Sequence, residues 1–404
     1  MAKMVVALFM TVGTGRRDEE SLKSLAHGLL HAILFYKPDN IVFFGSEESK
    51  KTIECLKKQY YDERSEELTN YEFIKIDKID DFNECFDKIR EKIEEYEKKN
   101  VEIIIDYTSG TKTMTMSAAI SSVLYHKKLT LVSGRRGDNG LVLPRTEKIE
   151  EQNLFSAYDK LLFDDVKNLF NFYMFEEAKK TLNRITILTD KEKYENLIDA
   201  YDLWDKFNHK QALLILKHIK DERISANKEF LGRLLNDTVE VKRLHYVLAD
   251  MINNAHRRIE EGKYDDAVAR LYRTIELIAQ IKLLDYGLYD TNDTKFTIYD
   301  LMKRGVDTKY YERYTDANGM VKVGLRQKFA LLNDLGWKDA NTLYLENNRL
   351  KNLLNKRNNS ILAHGLEPID KKTADELFKE VMDHTNSIIP NLNELVEKGR
   401  FPKL

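Results

Sequence analysis

The sequence predicts an α/β domain at the N-terminal end followed by an all-α region, and three observations predict it. Over residues 1–147, short apolar runs alternate with helical patterns, the rhythm of a parallel, doubly wound sheet. Beyond that stretch, apolar residues recur at the three- and four-residue spacing of amphipathic helices. Two loops rich in glycine and small hydroxyl residues directly follow strand-like runs, the place where open sheets of this kind bind ligands.

Met4 to Met10 is a continuous apolar run, as expected of a strand buried on both faces, and it leads straight into Thr11-Val12-Gly13-Thr14-Gly15. Further strands are expected at Ile41 to Gly45, Tyr71 to Ile76, Val101 to Tyr107 and Leu129 to Ser133, with helices such as Ser21 to Phe35 and Phe82 to Tyr96 between them. The second loop, Asp106 to Thr113, opens a helix that runs through Met116, Ala119 and Val123. Glycine lets backbone amides approach a ligand closely, a helix N-terminus presents unpaired N–H groups, and Lys112 adds a positive charge. Thr11, Gly13, Thr14, Gly15, Thr108, Ser109, Gly110, Thr111, Lys112 and Thr113 are therefore candidates for holding a phosphate-bearing ligand. Either loop could equally be a strand-to-helix turn with a Ser/Thr cap. Asp18 stands where a dinucleotide fingerprint needs its third glycine, and no glycine precedes Gly110 at the P-loop spacing, so NAD and ATP readings drop.

Residues 148–239 carry amphipathic patterns, with Phe155, Leu161, Leu162, Phe163, Val166, Leu169 and Phe170 in one and Leu213, Leu214, Leu216 and Ile219 in another, and read as a helical connector. Residues 240–404 contain Arg357-Asn358-Asn359-Ser360-Ile361-Leu362-Ala363-His364-Gly365. On one continuous helix, Arg357 and His364 would share a face about 10 Å apart along the axis, close enough to meet on one phosphate. Gly365 and Pro368 would end that helix, placing His364 in its last turn, where the dipole favours imidazolium. Spacing alone discriminates poorly, since a surface arginine and a capping histidine look the same. Leu350, Leu353, Leu354, Ile361 and Leu362 form the expected apolar stripe, interrupted by Asn358-Asn359-Ser360, residues that prefer caps and turns.

Arg357, directly followed by Asn358, and His364 after six intervening residues resemble the signature of the HEPN ribonucleases. Tyr264 to Leu283, with Val268, Leu271, Ile275, Ile278 and Lys282 at helical spacing, resembles that family's preceding core helix. Arg273, Glu276 and Gln280 share another face, either solvated or, through Glu276, orienting the arginine. Asp106 to Met114 and Ser133-Gly134-Arg135-Arg136 resemble the CARF domain, a Rossmann-like sensor of cyclic oligoadenylates. Arg135 joins the ligand candidates on that basis, although a turn through Gly137-Asp138-Asn139-Gly140 is as natural a home for it. A sensor at 1–147 and a HEPN nuclease at 240–404 is the architecture of type III CRISPR accessory ribonucleases. The resemblance implies a homodimer, a cyclic oligoadenylate activator on its two-fold axis, and a single-stranded RNA substrate. It also implies metal-independent cleavage by Arg357, Asn358 and His364 to a 2′,3′-cyclic phosphate, with no cofactor. Two alternatives stay open: a non-catalytic sensor that binds RNA or protein, and a sensor that slowly cleaves its own ligand.

Composition excludes other classes. At 404 residues, 42% hydrophobic and 33% charged, the chain is globular, and no run approaches the ~18 apolar residues of a membrane span. Met1 to Met10 is too short for a signal peptide, so a cytoplasmic location is expected. Cys55 and Cys85 offer no disulfide framework, and His27 and His31 lack the glutamate of a zinc-protease helix. A net charge of −2 requires any RNA contact to be local. Lys242, Arg243, His245, His256, Arg257 and Arg258 are one candidate for such a wall, or else a solvated helix face.

Overall fold

The computed structural model describes residues 5–15, 18–138, 140–143, 145–288, 296–389 and 391–404. Met4 of the expected first strand, the Arg16–Arg17 pair before Asp18, and Asn139 of the expected turn lie outside them. The chain divides into two compact units, 1–161 and 162–404.

In the first unit the strands are β1 (Val6–Val12), β2 (Asn40–Gly45), β3 (Tyr71–Lys75), β4 (Glu102–Asp106), β5 (Lys128–Ser133) and β6 (Lys148–Gln152). The interleaved helices are α1 (Glu19–Tyr36), α2 (Lys50–Arg64), α3 (Phe82–Glu97) and α4 (Lys112–Leu124). The sheet order is β3-β2-β1-β4-β5-β6; the first five strands run parallel and β6 is antiparallel to β5. The antiparallel edge departs from the wholly parallel expectation. Lys148-Ile149-Glu150-Glu151-Gln152 has no apolar run, and only its ladder with β5 makes it a strand. Charged side chains suit an edge, since they discourage further pairing.

Alternate residues of β1 feed opposite faces, as the pleat requires. Leu8, Met10 and Val12 pack with Ala26, Leu29 and Ile33 of α1, whereas Ala7 and Phe9 pack with Ile89 and Ile93 of α3 and Met114 of α4. Strand order reverses at β1, whose neighbours are β2 and β4. The carboxyl ends of β1 and β4 therefore flank the switch-point crevice, which brings the two glycine-bearing loops together.

The second unit is helical: α5 (Phe155–Asn171, in which the division falls), α6 (Phe175–Arg184), α7 (Lys191–Asp205), α8 (His209–His218), α9 (Ser225–Asn236), α10 (Glu240–Glu260), α11 (Tyr264–Asp285), α12 (Ile298–Met302), α13 (Lys309–Glu312), α14 (Leu325–Asp334), α15 (Asn348–Asn358), α16 (Lys371–Ile388) and α17 (Leu392–Lys398). In the expected connector, Leu162, Val166, Phe170, Leu213, Leu216 and Ile219 are buried, whereas Leu161 and Leu214, expected beside them, are exposed. Tyr201, Trp204, Phe230 and Phe401 stack into an aromatic centre, with ring centroids 4.7 to 5.9 Å apart. Around α11, Val268, Leu271 and Ile275 pack with Phe329, Leu350, Leu353, Leu354 and Val381. That core fixes α15, and hence Arg357, against α11. Among the described residues, no helix is long and apolar enough to cross a membrane.

Candidate functional site

The two loops of the first unit are tied to each other. The buried Thr11 hydroxyl donates to the Ser109 carbonyl, and the Gly13 N–H donates to Ser109 Oγ at 2.9 Å. Thr52 Oγ1 donates to the Gly13 carbonyl at 2.8 Å. A Cβ on Gly13 would lie 3.0 Å from the Gly110 nitrogen, and Gly110 itself has φ +119° with Thr11 Cβ 3.1 Å from where its own Cβ would be. Glycine is required at both places for the loops to touch.

The hydroxyls are mostly engaged in this scaffold. Thr108 Oγ1 accepts the Val132 N–H at 2.7 Å, and Thr111 caps α4 by accepting the Met114 N–H at 3.2 Å while donating to the Ile79 carbonyl at 2.9 Å. Thr14 and Thr113 are half-buried; Gly15 and Lys112 are exposed. Lys112 opens α4, and its ammonium has no hydrogen bond or ion pair among the described residues. Arg135 lies exposed between β5 and β6, where its N–H donates to Thr146 Oγ1 at 3.0 Å. Arg136 Nη1 donates to the Gly140 carbonyl at 2.9 Å, as the turn alternative anticipated.

Sequence reasoning missed the wall beside these loops. Ser21, Ser24 and Gly28 of α1, with Thr108, Arg136 and Glu147, line a cavity of about 110 Å³. The signal was present as small residues recurring along one face of α1. The Glu147 carboxylate, nearly buried, lies 3.2 Å from His27 Nε2, so His27 faces an acid partner and not a second metal-ligand histidine. Among the described residues, no three His, Cys, Asp or Glu side chains converge as a metal site would require.

Asp106 ends β4 fully buried; its Oδ1 accepts the Thr108 N–H at 3.1 Å and its Oδ2 has no hydrogen-bond partner among the described residues. Burial pushes its carboxyl up to about 6. Because that value exceeds the free-chain one, the native state binds more protons than the unfolded chain between about pH 4 and 6. The stability this group confers is complete below about pH 4 and is lost as pH rises through about 6. Asp106→Asn should therefore slow hydrogen exchange of β4 amides relative to wild type at pH 7.5, by about 3 kcal/mol of protection. The gap should close at pH 4; equal protection at both pH values would refute it.

In the second unit the continuous helix through His364 is not formed. α15 stops at Asn358, and the Asn358-Asn359-Ser360 trio, which competes for backbone hydrogen bonds, turns the chain out. Ser360 N–H donates to the Arg357 carbonyl, His364 N–H to the Asn358 carbonyl at 3.1 Å, and Glu367 N–H to the Asn359 carbonyl at 3.0 Å. Gly365 closes this loop, since a Cβ there would sit 2.0 Å from the Asn359 carbonyl oxygen. His364 is thus held near the end of α15 by a loop and not in a last helical turn. Ile361 and Leu362, expected in the apolar stripe, leave it with the broken helix and are 63% and 49% exposed, and Leu366 is 85% exposed.

Arg357 lies with its guanidinium carbon 4.3 Å from the ring centroid of Tyr272 on α11, donates from Nη1 to Asn358 Oδ1 at 3.3 Å, and leaves Nε without a partner. Asn358 therefore meets the arginine through its side chain and the histidine through its carbonyl. Glu276 pairs with Arg273 at 3.5 Å, and Arg273 Nη2 donates to Gln280 Oε1 at 3.0 Å. Among the described residues Glu276 makes no ion pair with Arg357; it interacts with the hydroxyl of Tyr272, over whose ring Arg357 lies. Tyr272 was not legible in the sequence, because one tyrosine on a core helix carries no sign of what packs over it.

The basic-wall expectation fails at two positions. Arg257 and Arg258 are buried, and Asp205 accepts from Arg257 Nε at 2.8 Å and from Arg258 Nη2 at 2.5 Å. Arg257 also stacks over Phe401 at 3.8 Å. The His256 ring lies 5.2 Å from Phe378, and burial lowers the pKa of His245, so of this group only Lys242 is plainly exposed.

The description "Csm6 HEPN domain" matches residues 236–388, the span that contains α10 to α16 and the Arg357–His364 loop. The description "Csm6 6H domain" matches residues 158–246, the helices before it. The solved structure of Enterococcus italicus Csm6 bound to cyclic hexa-2′-fluoro-hexa-dAMP is similar over 98% of this chain and 98% of that one, with TM-score 0.63 and 16% sequence identity. No curated protein matches the sequence. A doubly wound sheet followed by a HEPN helical region places this chain in the CARF–HEPN class. Within that class it belongs to the Csm6 family.

Proposed function

We propose that the chain is a cyclic-oligoadenylate-activated endoribonuclease of type III CRISPR defence that cleaves single-stranded RNA without a metal. The match of the Csm6 HEPN domain over the segment bearing Arg357, Asn358 and His364 carries this reading. In the proposed step, the RNA 2′-oxygen forms a bond to the adjacent phosphorus while the bond to the 5′-oxygen breaks. His364 moves the proton that leaves the 2′-hydroxyl or the one that reaches the 5′-oxygen, and the Arg357 guanidinium stabilises charge on the phosphoryl oxygens. The products are a 2′,3′-cyclic phosphate and a 5′-hydroxyl.

The proposed division of labour is a sensor at 1–147, a connector at 148–239 and a nuclease at 240–404. The proposed ligand groups are Thr11, Gly13, Thr14, Gly15, Thr108, Ser109, Gly110, Thr111, Lys112, Thr113 and Arg135, some through backbone amides since their hydroxyls are engaged. A homodimer is part of the proposal, supported by two apolar surfaces. One is the Ile361, Leu362 and Leu366 loop around His364. The other is Met116, Ile120 and Leu124, exposed at four-residue intervals on the helix that the ligand loop opens. Pairing across α4 would set two ligand loops side by side for a two-fold ring. Sedimentation with and without nucleotide reads the stoichiometry.

The deciding experiment is cleavage of a fluorescent RNA with cyclic tri-, tetra- and hexa-adenylate added separately, in EDTA. The six-membered ring is the arm suggested by the Enterococcus italicus complex. Activation by one ring with chelator present, leaving cyclic-phosphate ends, is the expected outcome. Activity that needs added magnesium would point to another mechanism. In the same assay Lys112→Ala should raise the activator concentration needed, by about tenfold for one lost charge-assisted contact, and leave the saturated rate near wild type. Unchanged affinity in calorimetry would reduce the second loop to a capped turn.

A further inference from the structure

Resting on the nuclease reading above, we infer that Tyr272 is a positioning residue for Arg357, its ring fixing the plane in which the guanidinium meets the scissile phosphate. An arginine at a helix end has several free torsions and would sample many orientations. Here one planar face is taken up by the Tyr272 ring at 4.3 Å, and Nη1 is held by Asn358 Oδ1 at 3.3 Å. Two contacts on different parts of the group fix its plane and its rotation. Nε is buried without a partner among the described residues, which leaves the terminal Nη groups to reach a phosphate. Their N–H groups form the end-on fork that matches two phosphoryl oxygens.

Stacking suits this task better than an ion pair would. A carboxylate in the place of Tyr272 would occupy the same N–H groups that a phosphate must reach, whereas a ring engages only the face. Glu276, one turn along α11, pairs with Arg273 at 3.5 Å and interacts with the Tyr272 hydroxyl, whose pKa is raised by burial and then by Glu276. The phenol therefore stays neutral across the working pH range, and the ring under Arg357 does not become an anion competing with substrate. α11 and α15 share one core, in which Leu271 and Ile275 flank Tyr272 in sequence and Leu353 and Leu354 precede Arg357 by one turn. The stack is thus carried by two fixed helices.

The experiment compares Tyr272→Leu, Tyr272→Phe and Tyr272→Met with wild type and with Arg357→Ala in single-turnover RNA cleavage. Tyr272→Leu and Tyr272→Met should lower the saturated rate about tenfold with little change in the RNA concentration for half-maximal rate, and Tyr272→Phe should recover most of that loss. In the double variant Tyr272→Leu with Arg357→Ala, the rate should equal that of Arg357→Ala alone, because the ring acts only through the arginine. A general packing defect would instead add to the Arg357→Ala loss, and that outcome overturns the proposal. A wild-type rate in Tyr272→Leu and Tyr272→Met, or a Tyr272→Phe as slow as Tyr272→Leu, overturns it as well. Should Tyr272→Leu not fold, the Met variant and its double carry the comparison. If Arg357→Ala itself cleaves at the wild-type rate, the nuclease reading has failed, a result distinguishable from failure of the stack.

Discussion

Alanine at Arg357 or at His364 should lower activated RNA cleavage by about 10²- to 10⁴-fold, with activator affinity and thermal stability near those of wild type. Arg357 is half-buried at the end of α15 and His364 is exposed, so neither truncation unmakes a buried core. The two losses should not add, because both groups serve one displacement at one phosphorus. Single-turnover cleavage at saturating activator measures this directly. Full activity in either variant would move the chemistry elsewhere in the chain.

The largest stability effect is expected at Asp205→Ala, far in sequence from the Arg357–His364 loop. Asp205 ends α7 and accepts from two arginines of α10 that are otherwise buried, and from Asn254 Nδ2 at 3.0 Å. Removing it leaves Arg257 without an ion-pair partner and Arg258 with Glu261 alone, at 2.8 Å, which should destabilise the second unit by about 3 kcal/mol. Replacing Asp205 and Arg257 together by Leu and Met should cost less, since Arg258 keeps Glu261 and the unpaired Arg257 charge is gone. Denaturant unfolding followed by fluorescence of Trp204, which donates to Asp250 Oδ1 at 2.8 Å in the same region, reports the change. A loss below about 1 kcal/mol for Asp205→Ala would mean that solvent reaches the arginines.

What the sequence made legible follows from how local each signal is. β1 announced itself because a strand buried on both faces needs an unbroken apolar run, and the loops at β1 and β4 were visible because backbone contact between them demands Gly13 and Gly110. β6 was silent: Lys148 to Gln152 is a strand only through its neighbour. Arg257 and Arg258 were misread for a similar reason, since a charged pair looks solvated until the distant Asp205 is brought against it. The Arg357–His364 pair was found by type and spacing, but its conformation was not, because Asn358-Asn359-Ser360 weakens the helix by an amount that tertiary contacts decide. Tyr272 lies beyond any such reading; its meaning is wholly in what packs on it.

The loop that carries His364 has a consequence for tolerance to length change. Were both groups on one helix, each inserted or deleted residue would rotate the histidine by about 100° around the axis and destroy the pairing. With α15 ending at Asn358, the arginine is set by the rigid helix and the histidine by a tether anchored at its ends, at the Asn358 and Asn359 carbonyls and at Gly365. Slack in the middle of a tether leaves its anchors where they were. A residue gained or lost between Ser360 and Ala363 should therefore displace His364 less than the same change within a helix would, because hydrogen bonds of the loop and not helical phase set its place.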